Sequence, residues 1–402
     1  MRSIVAVTEE MDNAEAAAQE LLDQIEAKGP GRNSCGFVFC DVEMAHGDFM
    51  AAIKKKIPFD VVGCTSIANF EAQKGAQILS AVLLVLTGDD VRFGVALTDA
   101  LTPENLRQEL QTAYEKTKAA AEGPGKILFL VPPFNDVIPL DGYVDTLSEL
   151  SGNIPVFGGL PSSNVADGDI LMYADGRAFT DRAAIVLVDG NVRPIFAVQN
   201  VLSDLSEQKH VVSKAEGNVI YTVEDMPFVE YLRHVGLLVD DLIAQGDLAV
   251  YVSTPLKVYI SKNHDQDRIP VVRTIKILNP ADGSGVLFGA ISEGSAISLV
   301  TMKRQDIQDS CRMAIKEIRD KIEAAKKDDD YTWTTLFCVS CGGRYMVMGD
   351  DKDVEGNILV ENLPRGLTLS GFYAYGEICP TVIENGRALN RVHNESIVMC
   401  AL

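Results

Sequence analysis

The stretch around which this sequence is organised is Gly371-Phe372-Tyr373-Ala374-Tyr375-Gly376-Glu377-Ile378-Cys379-Pro380. Glycine lets the backbone approach a neighbour closely, and aromatic residues between glycines form a rigid surface with polar tips. Glu377 must find hydrogen-bond donors or a cation in such surroundings. Two interpretations follow: a buried strand whose polar groups satisfy one another, or the wall of a ligand pocket, which is typically apolar with a few converging polar groups.

The order of elements that leads into this stretch occurs three times. A short apolar strand is followed by a helix and by a second strand that ends in small residues, at 37–66, 128–159 and 336–377. Each copy fits a βαβ unit with parallel strands. A larger pattern, in which a strand and a long helix precede the copy, recurs at 81–164 and 286–377. The sequence therefore predicts an α/β fold with mixed sheets and two related, pseudo-duplicated halves.

A polar, turn-rich segment at residues 200–226 predicts a boundary between a domain of residues 1–220 and a domain of residues 221–402. Local patterns predict further elements. Two antiparallel hairpins are expected, Ala81–Thr87 with Val91–Leu97 and Ala183–Val188 with Ile195–Val198. The principal helices are expected at 13–28, 46–56, 102–121, 141–150, 227–239 and 306–327, and Ala249–Val252 is expected to be a strand.

Composition excludes some classes of partner. The 402 residues carry a formal charge of -21, and 47% of them are hydrophobic, which is ample for a sizeable core. Binding to duplex nucleic acid needs a basic surface, and an anionic membrane attracts basic segments. We therefore expect no nucleic-acid partner and no attachment to an anionic membrane.

The sequence also lacks the signals of membrane insertion or export. The apolar runs fall short of the ~18 residues that span a bilayer, and the first residues turn acidic by Glu9, unlike a signal peptide. We expect a cytoplasmic protein.

The eight cysteines are scattered and lie mostly in apolar runs, unlike a disulfide framework of a secreted domain. Cys338 and Cys341 form one CxxC pair without a second pair at zinc-finger spacing. Zinc is therefore the weaker interpretation, and two thiols near a strand end are the stronger one.

Ligands of open α/β sheets bind beyond the carboxyl ends of parallel strands. The predicted strand ends bring together a set of candidate ligand-binding residues: Cys64, Thr65, Ser66, Gly158, Gly159, Ser162, Ser340, Cys341, Arg344, Tyr373, Tyr375 and Glu377. Arg344 offers a planar fork for a carboxylate or phosphate, or an ion pair with Glu377 or another acid. The glycines around it are not a phosphate loop, because the Lys-Ser/Thr of that motif is absent.

Catalytic and haem chemistry remain as alternatives. Cys64 or Cys341 could act as a nucleophile, but the five histidines are dispersed and a triad is recognised only by geometry. A lone histidine is usually structural; His393, in Arg391-Val392-His393-Asn394, or another histidine is the candidate axial ligand for haem.

At these residues the sequence resembles the FIST family of sensory modules. Ser340-Cys341-x-x-Arg344 followed by 371–378 is similar to the family's C-terminal motifs, and His393-Asn394 resembles the closing segment. Val61–Ser66 and Pro155–Gly159 resemble the N-terminal half. After Gly63-Cys64 and after Gly159 this sequence departs from the family pattern.

The resemblance implies a stand-alone signal-input protein that binds a small polar ligand, such as an amino acid or related metabolite, without a cofactor. A separate histidine kinase or cyclic-dinucleotide signalling protein would be its partner. In this hypothesis Arg344 holds an anionic group, Glu377 holds a cationic group, and Tyr373 and Tyr375 form walls. The alternatives are a haem-based nitric-oxide sensor, a thiol-dependent enzyme, and a scaffold protein without ligand.

Overall fold

The computed structural model describes residues 1–44, 46–135, 137–163, 168–206, 208–237, 239–245, 248–259, 270–327 and 330–402. Positions outside these ranges include Asn164, Ile260, Asp328-Asp329 and His264, which is one of the five histidines of the sequence. The described chain is built from three copies of one unit, and the third copy contains a large insertion.

The first unit spans residues 1–88. Its elements are β1 (Arg2–Thr8), α1 (Ala14–Ala27), β2 (Asn33–Cys40), α2 (His46–Lys56), β3 (Val61–Thr65), β4 (Asn69–Glu71), β5 (Gly75–Gln77) and β6 (Ala81–Gly88).

The second unit repeats this order from residue 91 to residue 190. Its elements are β7 (Val91–Leu97), α3 (Leu106–Ala121), β8 (Ile127–Val131), α4 (Leu140–Ser151), β9 (Val156–Gly159), β10 (Met172–Ala174), β11 (Arg177–Phe179) and β12 (Ala184–Gly190).

The third unit begins with β13 (Ile195–Gln199) and is then interrupted by an insertion that forms a separate sheet. The insertion contains β14 (Ser203–Asp204), β15 (His210–Glu216), β16 (Val219–Val223), β17 (Met226–Pro227), α5 (Phe228–His234), α6 (Val239–Gln245), α7 (Leu248–Ser253), β18 (Leu256–Tyr259), β19 (Val271–Arg273), β20 (Ile275–Asn279), β21 (Ser284–Leu287) and β22 (Ala296–Thr301). We call residues 203–301 the inserted sheet.

The third unit resumes after the inserted sheet. Its remaining elements are α8 (Arg304–Ala325), β23 (Thr335–Cys341), α9 (Gly342–Met348), α10 (Asp353–Asn362), β24 (Thr368–Ala374), β25 (Glu377–Glu384), β26 (Arg387–His393) and β27 (Ile397–Ala401), with a short 3₁₀ turn at Gly349–Asp351.

Each unit contributes to a six-stranded sheet of the same topology. The strand orders are β1-β6-β2-β3-β10-β11, β7-β12-β8-β9-β25-β26 and β13-β27-β23-β24-β4-β5. The central pairs β2–β3, β8–β9 and β23–β24 are parallel, as the three βαβ patterns predict. The mixed α/β fold class is confirmed, and the structure adds that the repeat is threefold.

The outer hairpin of each sheet comes from another unit. The β4–β5 hairpin of the first unit completes the third sheet, β10–β11 of the second unit completes the first, and β25–β26 of the third unit completes the second. The predicted domain boundary at residue 220 remains a prediction. In the structure that residue lies inside β16, and strands from both sides of it share two of the three six-stranded sheets and also the inserted sheet.

The three sheets enclose a common apolar core. At its centre, Phe37, Phe129 and Phe337 occupy matching positions of β2, β8 and β23, and their ring centroids lie 4.9 to 5.7 Å apart. Helices cover the outer faces: α8, for example, buries Ile307, Ile315 and other apolar residues at helical spacing.

A glycine recurs where the two parallel strands of each unit lie side by side. Gly63, Gly158 and Gly371 face the backbones of Val38, Leu130 and Cys338. A Cβ atom at these glycines would lie 1.7, 2.1 and 1.7 Å from the facing carbonyl oxygens. Only glycine permits this close approach of the strands.

Three of the predicted local structures are wrong. β6 and β7 do not pair as a hairpin, because β6 joins β1 and β2 whereas β7 joins β12 in the next sheet. β12 and β13 likewise belong to different sheets. Both short links connect one unit to the next. Residues 249–252, predicted to be a strand, lie in helix α7, which packs on α9.

Candidate functional site

The candidate site is a small cavity between the third unit and the inserted sheet. It lies beyond the carboxyl ends of the parallel strands β23 and β24, where sequence reasoning places a ligand. Its volume is about 10 Å³, which is room for about one water molecule. The lining residues are Val252, Thr274, Phe288, Cys341, Gly343, Met346, Tyr375, Asn394 and Glu395.

Two fully buried carboxyl groups meet beside this cavity. Glu377, the first residue of β25, accepts a hydrogen bond from Ser396 N at its Oε2 (3.3 Å), and its Oε1 has no hydrogen-bond partner. Glu395 accepts one from Thr274 Oγ1 at its Oε1 (2.6 Å), and its Oε2 has no partner. Buried polar atoms of native proteins are nearly always hydrogen-bonded, so two such oxygens in one place indicate a site built for something else.

The backbone at Glu395 supports this interpretation. Its φ of 54° lies in the left-handed region, which side-chain-bearing residues adopt only when the surrounding structure holds them there. Gly343 leaves the space that the carboxyl occupies, since a Cβ atom at Gly343 would lie 2.5 Å from Glu395 Oε2. The local structure thus holds a carboxyl group in place without satisfying it.

Burial and mutual repulsion govern the protonation of this cluster. Burial, followed by the charge of Glu395, raises the pKa of Glu377 well above its usual range. Burial raises the pKa of Glu395 to about 7, although the Thr274 hydroxyl opposes the shift. Burial and the two carboxyls also raise the pKa of the Cys341 thiol. A nucleophilic cysteine needs a shift in the opposite direction.

Arg344 lies next to this cluster but is fully engaged elsewhere. Its Nη2 donates to Glu355 Oε1 (2.5 Å) and to Ile307 O, its Nη1 donates to Ser310 Oγ, and its Nε donates to Ser340 Oγ. The structure therefore shows the ion pair with another acid, and that acid is Glu355.

Ser340 and Tyr373 complete the network around Glu355. Ser340 Oγ donates to both Glu355 oxygens (3.1 Å), and Tyr373 Oη donates to Glu355 Oε2 (3.0 Å). Tyr373 thus faces Glu355 rather than the cavity. Tyr375 does line the cavity, and its hydroxyl donates to Ser163 O (2.6 Å).

The remaining predicted residues join the three units at their strand ends. Ser66 and Ser162 both donate side-chain hydrogen bonds to the carbonyl oxygen of Tyr373. Thr65 bonds to the backbone of Leu171, and Cys64 packs in the central core. Gly158 and Gly159 form the end of β9, against β8 and β25.

The structure thus places Cys341 and Tyr375 in the lining of the cavity and Glu377 beside Cys341 and Glu395. The other nine candidates do not line the cavity. The ligand-binding role of all twelve stays a prediction. Sequence reasoning missed Glu395, Asn394 and Thr274. Glu395 follows the quoted His393-Asn394 pair, where an acid directly before an apolar strand is a usable signal. Thr274 carries no such signal, because the inserted sheet brings it to the site.

The inserted sheet supplies the roof of the cavity and is fastened beside it by Arg273. This buried side chain donates to Asp141 Oδ1 of α4 (2.9 Å) and to the carbonyl oxygen of Val392 (3.0 Å). Ala290 N donates to the second oxygen of Asp141 (2.7 Å). The roof is therefore held by polar contacts on one side, next to Thr274 and Phe288.

A larger cleft of about 500 Å³ lies elsewhere, between β13, α8 and β25. Its charged groups already have partners: Lys321 Nζ donates to Glu317 Oε1 and to Phe196 O. We place the candidate site at the small cavity because two buried carboxyl groups, each with an oxygen that lacks a partner, meet beside it.

The metal and haem interpretations concern the histidine, cysteine and acidic side chains of the described chain. Its His, Cys, Asp and Glu side chains form no group of three or more suited to a metal ion. His393 is buried, and its Nε2 bonds to the carbonyl oxygen of Cys379 (3.0 Å). Burial lowers the pKa of His393 to about 4.

Each described helix is too short or too polar to cross a membrane.

A repeated α/β fold with a buried polar cavity under an inserted sheet defines the class of this protein, and sequence profiles give its family. The FIST N domain matches residues 34–226, and the FIST C domain matches residues 228–380. The chain belongs to the FIST family, whose domains are sensory and support a signal-input role. Among curated protein sequences, none matches.

Solved structures of low sequence identity resemble the chain. Cyanuric acid hydrolase from A. caulinodans is 8% identical, with a TM-score of 0.37 over 99% of both chains. A second cyanuric acid hydrolase, described as an evolutionary innovation by structural concatenation, is 10% identical, with a TM-score of 0.29 over 75% of this chain and 99% of that one. We draw no functional conclusion from these similarities.

Proposed function

We propose that this protein is a sensory module that binds a small polar ligand in the cavity between its third unit and its inserted sheet. The observation that carries the proposal is the pair of buried carboxyl oxygens without partners, on Glu377 and Glu395. A ligand group with N–H donors or a positive charge would satisfy both. Tyr375, Asn394 and Thr274 would surround that group.

Arg344 has a supporting role in this proposal. Its guanidinium is held by Glu355, Ser310 and Ser340. The sequence suggests that Arg344 binds an anionic group of the ligand, but in this proposal it positions the elements beside the cavity instead. The network fixes α9 and β24, on which Gly343 and the segment leading to Tyr375 are placed.

The inserted sheet is the part that would report binding. Its buried apolar residues, from Val212 to Leu299, form a core of their own, and the chain enters and leaves it through the paired strands β14 and β22. Interfaces of this kind between separately cored parts permit relative motion. A ligand larger than a water molecule needs a shift of the roof, so binding would change the population of roof positions.

The signal would pass to a separate protein in the cytoplasm. The acidic surface and the sensory family favour a protein partner such as a histidine kinase or a cyclic-dinucleotide signalling protein. A partner that recognises the inserted sheet in one position would read the ligand directly.

The test is a thermal-shift and calorimetric screen of the full chain against small amines, amino acids, carboxylates and haem. A ligand that binds the native state raises the melting temperature in a saturable way. We expect Glu377→Gln to abolish the response to the responding ligand, whereas Glu384→Gln, an exposed acid in the same strand, should leave it unchanged. If Glu377→Gln and Glu384→Gln respond alike, the ligand does not bind in this cavity.

A further inference from the structure

We infer that the ligand recognised by this cavity is a small amine without a carboxylate group, bound as its ammonium ion. This inference rests on the proposed function and adds the chemical class of the ligand. It follows from which polar groups of the cavity are already used and which are not.

Each polar side chain of the described lining that has an O–H or N–H group already donates a hydrogen bond. Thr274 Oγ1 donates to Glu395 (2.6 Å), and Thr274 N donates to Asn394 Oδ1 (3.4 Å). Asn394 Nδ2 donates to His393 O (3.0 Å), and the Tyr375 hydroxyl donates to Ser163 O (2.6 Å). A ligand acceptor would have to displace one of these bonds or rely on the second hydrogen of Asn394 Nδ2 alone.

The acceptors show the opposite pattern. Glu377 Oε1 and Glu395 Oε2 have no partner among the described residues. The Cys341 thiol lies beside both carboxyls, but its one weakly donating proton cannot serve both oxygens. An ammonium group has three donors and no acceptor, so it complements this arrangement.

A carboxylate on the same ligand would meet unfavourable surroundings. The nearest guanidinium, that of Arg344, already donates to Glu355, Ser310, Ser340 and Ile307. None of the described lining residues carries a positive charge: apart from the polar side chains named above, the lining consists of Gly343, the apolar Val252, Phe288 and Met346, and Glu395 itself. Like charges and unpaired buried polar groups are the means by which a site rejects the wrong ligand.

The size of the cavity limits the rest of the ligand. A volume of about 10 Å³ admits only a small head group without movement of the roof. The three apolar side chains at Val252, Phe288 and Met346 suit a short alkyl tail. The probe that fits these features is a primary alkylamine such as ethylamine.

The experiment compares three molecules on the full chain by thermal shift and isothermal titration calorimetry. Ethylamine is alanine without its carboxylate, and propionate has a similar carbon chain with an acid in place of the amine. We expect ethylamine to give a saturable rise of at least about 2 °C in the melting temperature, and alanine and propionate to give none. Glu377→Gln should weaken ethylamine binding at least tenfold, and Glu384→Gln should not.

Three outcomes would overturn the inference. Alanine binding as tightly as ethylamine, with the same loss in Glu377→Gln, would overturn the ligand class and leave the proposed function standing. Ethylamine binding unaffected by Glu377→Gln would place the amine elsewhere. If neither ethylamine nor its methyl to butyl homologues shifts the melting temperature, the inference is wrong. If no compound of the wider screen shifts it either, the proposed function is wrong as well.

Discussion

Thr274 Oγ1 of the inserted sheet lies 2.6 Å from Glu395 Oε1 of the third unit. This hydrogen bond ties the roof of the cavity to one of its two incompletely bonded carboxyl groups. We expect Thr274→Val to loosen the roof, because a hydrogen bond of this kind contributes about 1 kcal/mol. The buried Cys341 thiol should then be alkylated about five- to tenfold faster, as measured by mass spectrometry of the native protein.

Cys400, in the central core, is the internal control for that experiment. Its alkylation requires opening of the core rather than of the roof. Equal acceleration at Cys341 and Cys400 would mean that the substitution destabilises the whole protein, and no acceleration at Cys341 would show that Thr274 does not hold the roof.

The pKa of Glu395 predicts an unusual dependence of stability on pH. Burial raises this pKa from 4.5 to about 7, so between these values the folded protein holds a proton that the unfolded chain has released. The favourable contribution of Glu395 to the free energy of unfolding is fully present below pH 4.5. It is lost as the pH rises to 7, and the full pKa shift corresponds to a loss of roughly 3 kcal/mol.

We therefore expect Glu395→Gln to raise the stability of the ligand-free protein at pH 7 to 8 and to abolish ligand binding. Denaturant unfolding at several pH values measures the first effect, and calorimetry measures the second. A variant that is less stable than the parent at pH 8 would contradict the assignment of an uncompensated carboxyl.

The same protonation should control affinity for the amine. The ammonium ion needs ionised carboxyls, and burial raises the pKa of both Glu377 and Glu395, so binding must displace the protons that this pair holds. We expect the affinity for ethylamine to fall at least about tenfold per pH unit below pH 7, with proton release detectable in buffers of different ionisation enthalpy. An affinity that does not change between pH 5.5 and 7 would exclude this exchange.

Arg344 and Glu355 should behave as one structural pair. Arg344→Ala leaves Glu355 buried without its ion-pair partner, which typically costs about 3–5 kcal/mol of stability. Glu355→Ala should cost a similar amount, and the double variant should cost clearly less than the sum. Denaturant midpoints of the four proteins complete the cycle; additive effects would show that the two side chains are not coupled.

Alanine substitution should lower the stability of the protein to a similar extent at each of the three matching glycines. Alanine at Gly63, Gly158 or Gly371 places a Cβ atom 1.7 to 2.1 Å from a backbone carbonyl oxygen. We expect each variant to lose on the order of 3 kcal/mol or more, measured by denaturant unfolding. Gly47 is the control: no atom lies within 4 Å of a Cβ there, and Gly47→Ala should stabilise α2 by about 0.5–1 kcal/mol.

Local sequence patterns predicted most elements of the three units. The limits of α2, β7 and α8 agree with the sequence patterns to within a residue or two, because alternation and helical spacing report directly which face is buried. The hairpin predicted around Gly88-Asp89-Asp90 is wrong. The chain does turn at these residues, but β7 pairs with β12 in another sheet. Which sheet a strand joins depends on distant chain, and a local pattern does not carry that information.

The candidate site was predictable to a similar extent. Glu377 and Cys341 entered the set of candidates because ligands bind at strand ends in α/β folds. Arg344 looked like a ligand residue because Glu355, eleven positions away in α10, gave no sign of pairing with it. Thr274 reaches the cavity only through the inserted sheet, so no spacing within the third unit could indicate it.

The exchange of hairpins between units has a consequence for the order in which the chain is made. β4 pairs with β24, and β13 pairs with β27. Strands synthesised early therefore remain unpaired on one edge until roughly 200 to 300 further residues have been made. Until residues 397–401 leave the ribosome, β13 and β23 keep an open edge. Such edges favour pairing with other chains, which makes nascent copies of this protein natural clients of chaperones that hold unfinished sheets apart.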